Sequence, residues 1–145
     1  MVISRDLLSA YRNTRYGVRT PLGEIALRID APSPSPPLDA LLRAAGCQIW
    51  VFISADNPGS VADPTGNPAR RARLLADVEA LGLPWFAGRG IADDALWPAE
   101  ESLLVLGLSE DDGTALGRKY GQIAVLAGAL GGPARLVACD DKAPP

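Results

Sequence analysis

The sequence predicts a single domain of α+β or α/β class, a mixed β-sheet with about four helices packed against it. Three observations predict this. Apolar residues fall in short runs of strand length, continuous at Ile49 to Ser54 and Leu103 to Leu108, alternating at Glu24 to Ile29. Other segments carry apolar residues at helical spacing, such as Leu38, Leu41, Leu42 and Ala45. The 13 prolines and 15 glycines lie mainly between these runs, in 32–37, 58–68 and 128–133, so they punctuate an ordered fold. A chain of 145 residues, 48% hydrophobic, can bury roughly two thirds of its unfolded surface in one core.

Taken in order, Ser4 caps a short helix over 5–13. Ile25, Leu27 and Ile29 then alternate with Glu24, Ala26 and Arg28 in a half-buried strand, paired with Tyr16 to Arg19 across the turn Thr20 to Gly23. The Pro-rich segment leads into the helix of Leu38 to Ala45, which Gly46 ends. After the strand Ile49 to Ser54, Asn67-Pro68 reads as an N-cap with proline at the first helical position. Ala72, Leu75 and Val78, less regularly Leu74 and Leu81, form that helix's apolar stripe, and Gly82 stops it. A brief strand at Pro84 to Phe86 precedes a Gly-rich connection and the strand Leu103 to Leu108. Ser109 caps a helix with Glu110, Asp111 and Asp112 in its first turn and Arg118 and Lys119 in its last, which suits the helix dipole. A hairpin of Ile123 to Ala127 and Ala134 to Cys139 completes the domain over 1–139, leaving 140–145 as a frayed tail.

Histidine is absent, which removes Ser-His and Cys-His nucleophile pairs, imidazole zinc sites and a histidine proton shuttle. Cys47 and Cys139 form no Cys-x-x-Cys motif and supply too few thiolates for a zinc site, so no metal is expected; they read as small buried hydrophobes in a reducing compartment. No cofactor is implied, since neither Gly113 to Gly117 nor Gly88 to Gly90 has the form of a phosphate loop. The start lacks a basic head before a long apolar segment, and no apolar stretch approaches the roughly 20 residues of a membrane span, so a cytoplasmic protein without a membrane partner is expected. Residues 1–73 carry nine arginines against six acids and residues 74–145 five basic residues against eleven acids. Low lysine content and a net charge of −3 argue against a general nucleic-acid binder.

Candidate binding residues gather around the end of the strand Ile49 to Ser54. Ser54, Asn57 and Ser60 offer short hydroxyl and amide groups in a turn whose N–H donors suit a small polar or anionic ligand. Asn67 and Arg71 follow at the next helix start, where Arg70, Arg71 and Arg73 oppose the helix dipole unless an anion or acidic partner is near. Ser102 precedes the second central strand and Gln122 adjoins a helix stop. Glu101 is the candidate general base, because partial burial beside an apolar strand would raise its pKa. These clusters share one sheet edge only if the strands at 49–54 and 103–108 are antiparallel.

The segments Tyr11-x-x-Thr14-x-Tyr16, Ile53-Ser-Ala-Asp-Asn-Pro58, Asn67, Glu101-Ser102 and Tyr120-Gly-Gln122, in this order, resemble a bacterial family known as domain of unknown function 3293. Ser54 stands where that family usually has Thr, and Tyr120 where Phe is common. The resemblance implies a free-standing bacterial protein and one constellation of Ser54, Asn57, Asn67, Glu101 and Gln122, without an activity. Three readings follow: a binding domain for a small polar or anionic ligand, an enzyme with Glu101 as base, or an interaction module or homodimer displaying Trp85, Phe86 and Trp97.

Overall fold

The structure, a computed structural model, describes residues 3–29, 35–94 and 97–139. The expected tail 140–145 and the first part of the Pro-rich segment lie outside them. Four helices, α1 (Arg5–Arg12), α2 (Pro36–Ala45), α3 (Asn67–Ala80) and α4 (Glu110–Lys119), alternate with seven strands. The strands are β1 (Thr14–Thr20), β2 (Gly23–Leu27), β3 (Ile49–Ser54), β4 (Trp85–Ala92), β5 (Glu100–Leu106), β6 (Ala124–Ala129) and β7 (Arg135–Ala138). They form one sheet in the order β2-β1-β4-β5-β3-β6-β7, and every ladder is antiparallel. Among the described residues the one parallel contact is the bridge between Ile29 and Ala134, where the sheet has curled far enough for the chain after β2 to reach the chain before β7. The expected mixed sheet therefore resolves to an α+β domain on a curled antiparallel sheet.

The two kinds of apolar pattern have a common cause. Inside the curl, Tyr16, Val18, Ile25, Leu27, Trp50, Phe52, Leu104, Leu106 and Leu126 form one core, joined by Leu38, Leu41 and Leu42 of α2 and by Tyr11 of α1. Outside it, α3 and α4 cover the other face of β3, β5 and β6, burying Val51, Ile53, Val105, Val125 and Ala127 against Leu74, Val78 and Leu116. Strands buried on both faces read as continuous apolar runs. On β1 and β2 the outward positions Arg15, Arg19, Glu24 and Ala26 are exposed, so those strands alternate.

Helix α4 lies close to the sheet because Gly113 and Gly117, four residues apart on one face, have no side chain there. A Cβ at Gly113 would stand 2.8 Å from Val51, and one at Gly117 2.6 Å from Cys139. These glycines serve close packing. Ser4, Ser35 and Ser109 cap α1, α2 and α4 through side-chain bonds to Leu7 N, Leu38 N and Asp112 N. No described helix is long and apolar enough to cross a membrane.

Three elements depart from expectation. The brief strand at 84–86 is instead the eight-residue β4, with Gly88 and Gly90 inside it. Glycine is needed at 88, where a Cβ would meet Gly17 O at 2.7 Å and Phe52 at 2.8 Å. Helix α3 is capped at Gly66 and begins at Asn67, so Asn67 does not act as its cap. Its buried residues are Asn67, Leu74 and Val78, with Arg71 half-buried on the same stripe and Leu75 half-buried beside it, whereas Ala72 and Leu81 are exposed. Asn67, Arg71, Leu74 and Val78 stand at i, i+4, i+7 and i+11, one helical stripe whose first two members are polar.

Candidate functional site

Beyond β3 the chain makes a tight turn in which Asn57 and Ser60 both adopt left-handed backbone conformations, with φ of 51° and 62°. Such residues are uncommon outside glycine, and Asn accepts the conformation best. Polar groups hold the turn from within. The carboxylate of Asp56, 1% exposed, takes both guanidinium donors of Arg71 at 2.7 Å and the backbone N–H of Glu101 at 2.9 Å. Asn67 Oδ1 accepts from Asn57 N, and its Nδ2 donates to Asn57 Oδ1, each at 2.9 Å. Asn57 Oδ1 also accepts from Asp63 N at 2.9 Å. Arg70 reaches Ala55 O, Asn67 Oδ1 and the carboxylate of Asp63. Arg70 and Arg71 thus have acidic partners within the protein, which offsets their placement against the helix dipole.

This network fastens the end of β3 to the start of β5. Because β3 and β5 are antiparallel and Ser54 faces Ser102, the two sequence clusters do share one sheet edge. Ser54 Oγ donates to Glu101 O at 2.8 Å and accepts from Asp56 N at 3.0 Å, a local turn bond plus a cross-strand one.

At this end the curl opens into a cavity of about 500 Å³. Its walls are the α1 residues Leu7 and Tyr11, Thr14 and Tyr16 of β1, Phe52 of β3, and Val125 and Leu126 of β6. Ser54, Ser60, Ser102 and Gln122 also line it. Gln122 donates its Nε2 to Asp56 O at 2.9 Å and Tyr120 O at 3.4 Å, so what it offers a ligand is an acceptor, Oε1. Ser102 Oγ donates to Glu100 O.

Three carboxyl groups line the cavity among the described residues, those of Asp6, Asp94 and Glu100, and Glu100 is the one set among its aromatic side chains. Its Oε2 accepts from Asn57 Nδ2 at 2.7 Å and from Trp97 Nε1 at 3.2 Å, while Oε1 accepts no hydrogen bond among the described residues. Burial pushes the Glu100 carboxyl above the usual carboxylate range; the bonds from Asn57 and Trp97 pull the other way, and the charge of Asp56 adds a smaller upward push. Tyr11 is pushed up to about 12, first by burial and then by the charge of Glu100, against a hydrogen bond with Ser60. Burial likewise raises Tyr16, whose hydroxyl donates to Tyr11 O at 3.2 Å.

Glu101, the expected base, points the other way. Its carboxylate binds Arg89 on the outer face of the sheet, with Oε1 taking two guanidinium N–H groups at 2.8 and 2.9 Å. Of the expected binding residues, the fold therefore brings Ser54, Ser60, Ser102 and Gln122 to the cavity wall. It places Asn57 behind Glu100, Asn67 behind Asn57, and Arg71 on Asp56. In the sequence Trp97 reads as an interface aromatic, and Glu100, though it belongs to the polar cluster Glu100-Glu101-Ser102, has no role of its own, nor have Tyr11, Thr14 and Tyr16. Strand alternation from Ser102 would have pointed to Glu100, since positions two apart share a face. Trp85 and Phe86 are half-buried against the two cores, so of the three aromatics proposed for an interface only Trp97, at 39%, is exposed. Among the described residues no group of three or more carboxylates and thiols could hold a metal ion.

No curated protein and no solved structure matches the chain. The profile of the family described as protein of unknown function, DUF3293, matches residues 53–125. That span is half of the chain and holds the strand-end turn, its Asn67 and Arg71 supports, Glu100 and Gln122. The chain belongs to the DUF3293 family of proteins of unknown function.

Proposed function

We propose that the open end of the curled sheet binds a small polar molecule, with Glu100 as its anchor. The observation that carries this reading is the half-satisfied carboxyl. A cavity walled mostly by apolar and aromatic side chains contains a glutamate whose Oε2 is fixed by two N–H donors and whose Oε1 is left to accept. Apolar walls with a few placed polar groups are the usual composition of a small-molecule site, and curled sheets often hold one at their mouth. The buried network of Asp56, Asn57, Asn67 and Arg71 is the support that fixes Glu100, as a precise site requires.

The anion-binding form of this reading has lost its motive. Arg70 and Arg71 are held by Asp63 and Asp56, and neither lysine nor arginine lines the cavity among the described residues. The enzyme reading moves from Glu101 to Glu100, a carboxyl raised by burial and suited to give or take a proton.

A thermal-shift screen of nucleosides, sugars, amino acids and amines against wild-type protein, Glu100→Gln and Trp97→Ala tests the reading. A ligand at about 100 times its dissociation constant adds about 2.7 kcal/mol, a shift of several degrees for a domain of this size. The expected result is a hit that weakens in both variants. Hits that both variants bind as tightly as the wild type would place the ligand elsewhere and end the proposal.

A further inference from the structure

Resting on that reading, we infer that the ligand is a small organic amine with an apolar body, its protonated nitrogen on Glu100 Oε1. Hydrogen-bond polarity is the first argument. An ionised carboxylate only accepts, and Glu100 has one oxygen saturated and one open. Gln122 has spent its amide hydrogens on Asp56 O and Tyr120 O, so it too offers only an acceptor. A ligand rich in N–H donors satisfies both open acceptors, whereas a carboxylate or phosphate brings no donor to either.

Charge agrees with polarity. Among the described residues, Asp6, Asp94 and Glu100 are the charged ones that line the cavity, and no basic side chain stands with them in its wall. Burial holds the empty Glu100 carboxyl high, and an ammonium beside it would favour the ionised form and bring that pKa down. Shape supplies the apolar body. Tyr11, Tyr16, Phe52 and Trp97 line the space with ring surface, Tyr16 and Phe52 packing edge to face with centroids 5.4 Å apart. Aromatic faces attract a cation and cover hydrocarbon, while Ala92, Ala124 and Leu126 add apolar wall.

The test uses three probes with one body and three heads: 2-phenylethylamine, 2-phenylethanol and phenylacetate, titrated calorimetrically at neutral pH against the full chain. The amine should bind at least about tenfold tighter than the alcohol, an increment of about 1.4 kcal/mol, and the acid should bind weakest. In Glu100→Gln the advantage of amine over alcohol should shrink to about twofold or less while the alcohol's own affinity holds. Trp97→Phe, which keeps the ring and removes the N–H donor to Glu100, should retain most of the preference and guards against a misfolded first variant. If the alcohol or acid binds as tightly as the amine, or if the preference survives Glu100→Gln, the amine inference is overturned while the cavity reading stands. If none of the three binds but another hit from the screen depends on Glu100, the amine inference again falls alone. If no ligand depends on Glu100 at all, both fall.

Discussion

The inner and outer faces of the sheet formed by β2, β1, β4 and β5 both carry glutamate and do different things with it. On the outer face Arg15, Arg89, Glu24 and Glu101 stand in solvent as paired charges, with Arg15 to Glu24 at 3.7 Å and Arg89 to Glu101 at 2.8 Å. On the inner face a single glutamate, one residue before Glu101, is enclosed by aromatic rings and held by an asparagine and an indole. Exposed pairs in water are worth little, because solvent screens them and ordering long side chains costs entropy. The enclosed carboxyl has lost much of its water and depends on its few partners. Enclosure, more than the number of charges, separates a candidate site from an ordinary surface.

Asp56 should break this comparison most severely, because it fixes the point of β5 from which the two glutamates diverge. Asp56→Ala removes three charge-assisted bonds and leaves the Glu101 N–H unpaired. We expect a loss of about 3 kcal/mol, a fall in Tm of about 6–12 °C by calorimetry, and impaired ligand binding. Asn57→Ala comes next, at about 2 kcal/mol by urea unfolding. It strips a buried partner from Asn67, Asp63 N and Glu100, and it puts alanine where the backbone is left-handed.

Glu100→Gln should do the reverse and keep or slightly raise stability at neutral pH, by up to about 1 kcal/mol, since an amide oxygen can still accept from Asn57 and Trp97 and no charge is buried. Burial raises the folded carboxyl above its unfolded value, so the folded state holds the proton longer than the unfolded state does. The wild type therefore loses stability as pH climbs from the unfolded pKa through the folded one, and below both values the effect is absent. The difference in Tm between variant and wild type, followed from pH 3.5 to 8, should favour the variant increasingly with pH. A flat difference would mean that Glu100 is not desolvated.

Tyr11 and Tyr16 extend the same logic to alkaline pH. Both phenols are raised, Tyr11 to about 12, so stability should fall as pH rises beyond the ordinary phenol range near 10, and Tyr11→Phe should blunt that fall. The smallest effect belongs to the outer face, where Glu101→Gln should leave both Tm and ligand binding unchanged within error. A clear loss of binding there would restore Glu101 as a functional residue.

Element order was legible because each signal was local. Ser4 and Ser109 cap their helices, Gly46 takes the left-handed conformation at the end of α2, and continuous apolar runs mark the strands with both faces covered. Strand β4 was cut short because Gly88 and Gly90 look like breakers until Phe52 and Tyr16 are seen to pack over them. Helix α3 was read a register off, because Asn67 and Arg71 resemble a cap and a surface charge until Asn57 and Asp56 are seen to receive them. The site was half legible for the same reason: polar residues after an apolar strand marked the place, but not which of two adjacent glutamates faced it.

By itself the sequence determined the number, order and kind of elements, the absence of imidazole chemistry, and the neighbourhood of Ser54, Asn57, Asn67 and Gln122. The first two rest on spacing, capping and composition, which act over a few residues, and the last on the family resemblance. Only the tertiary structure decided that β3 and β5 run antiparallel, that the sheet curls until Ile29 meets Ala134, and that Glu100 rather than Glu101 enters the cavity. Those depend on contacts between residues tens of positions apart, where one step of strand register exchanges the inner face for the outer.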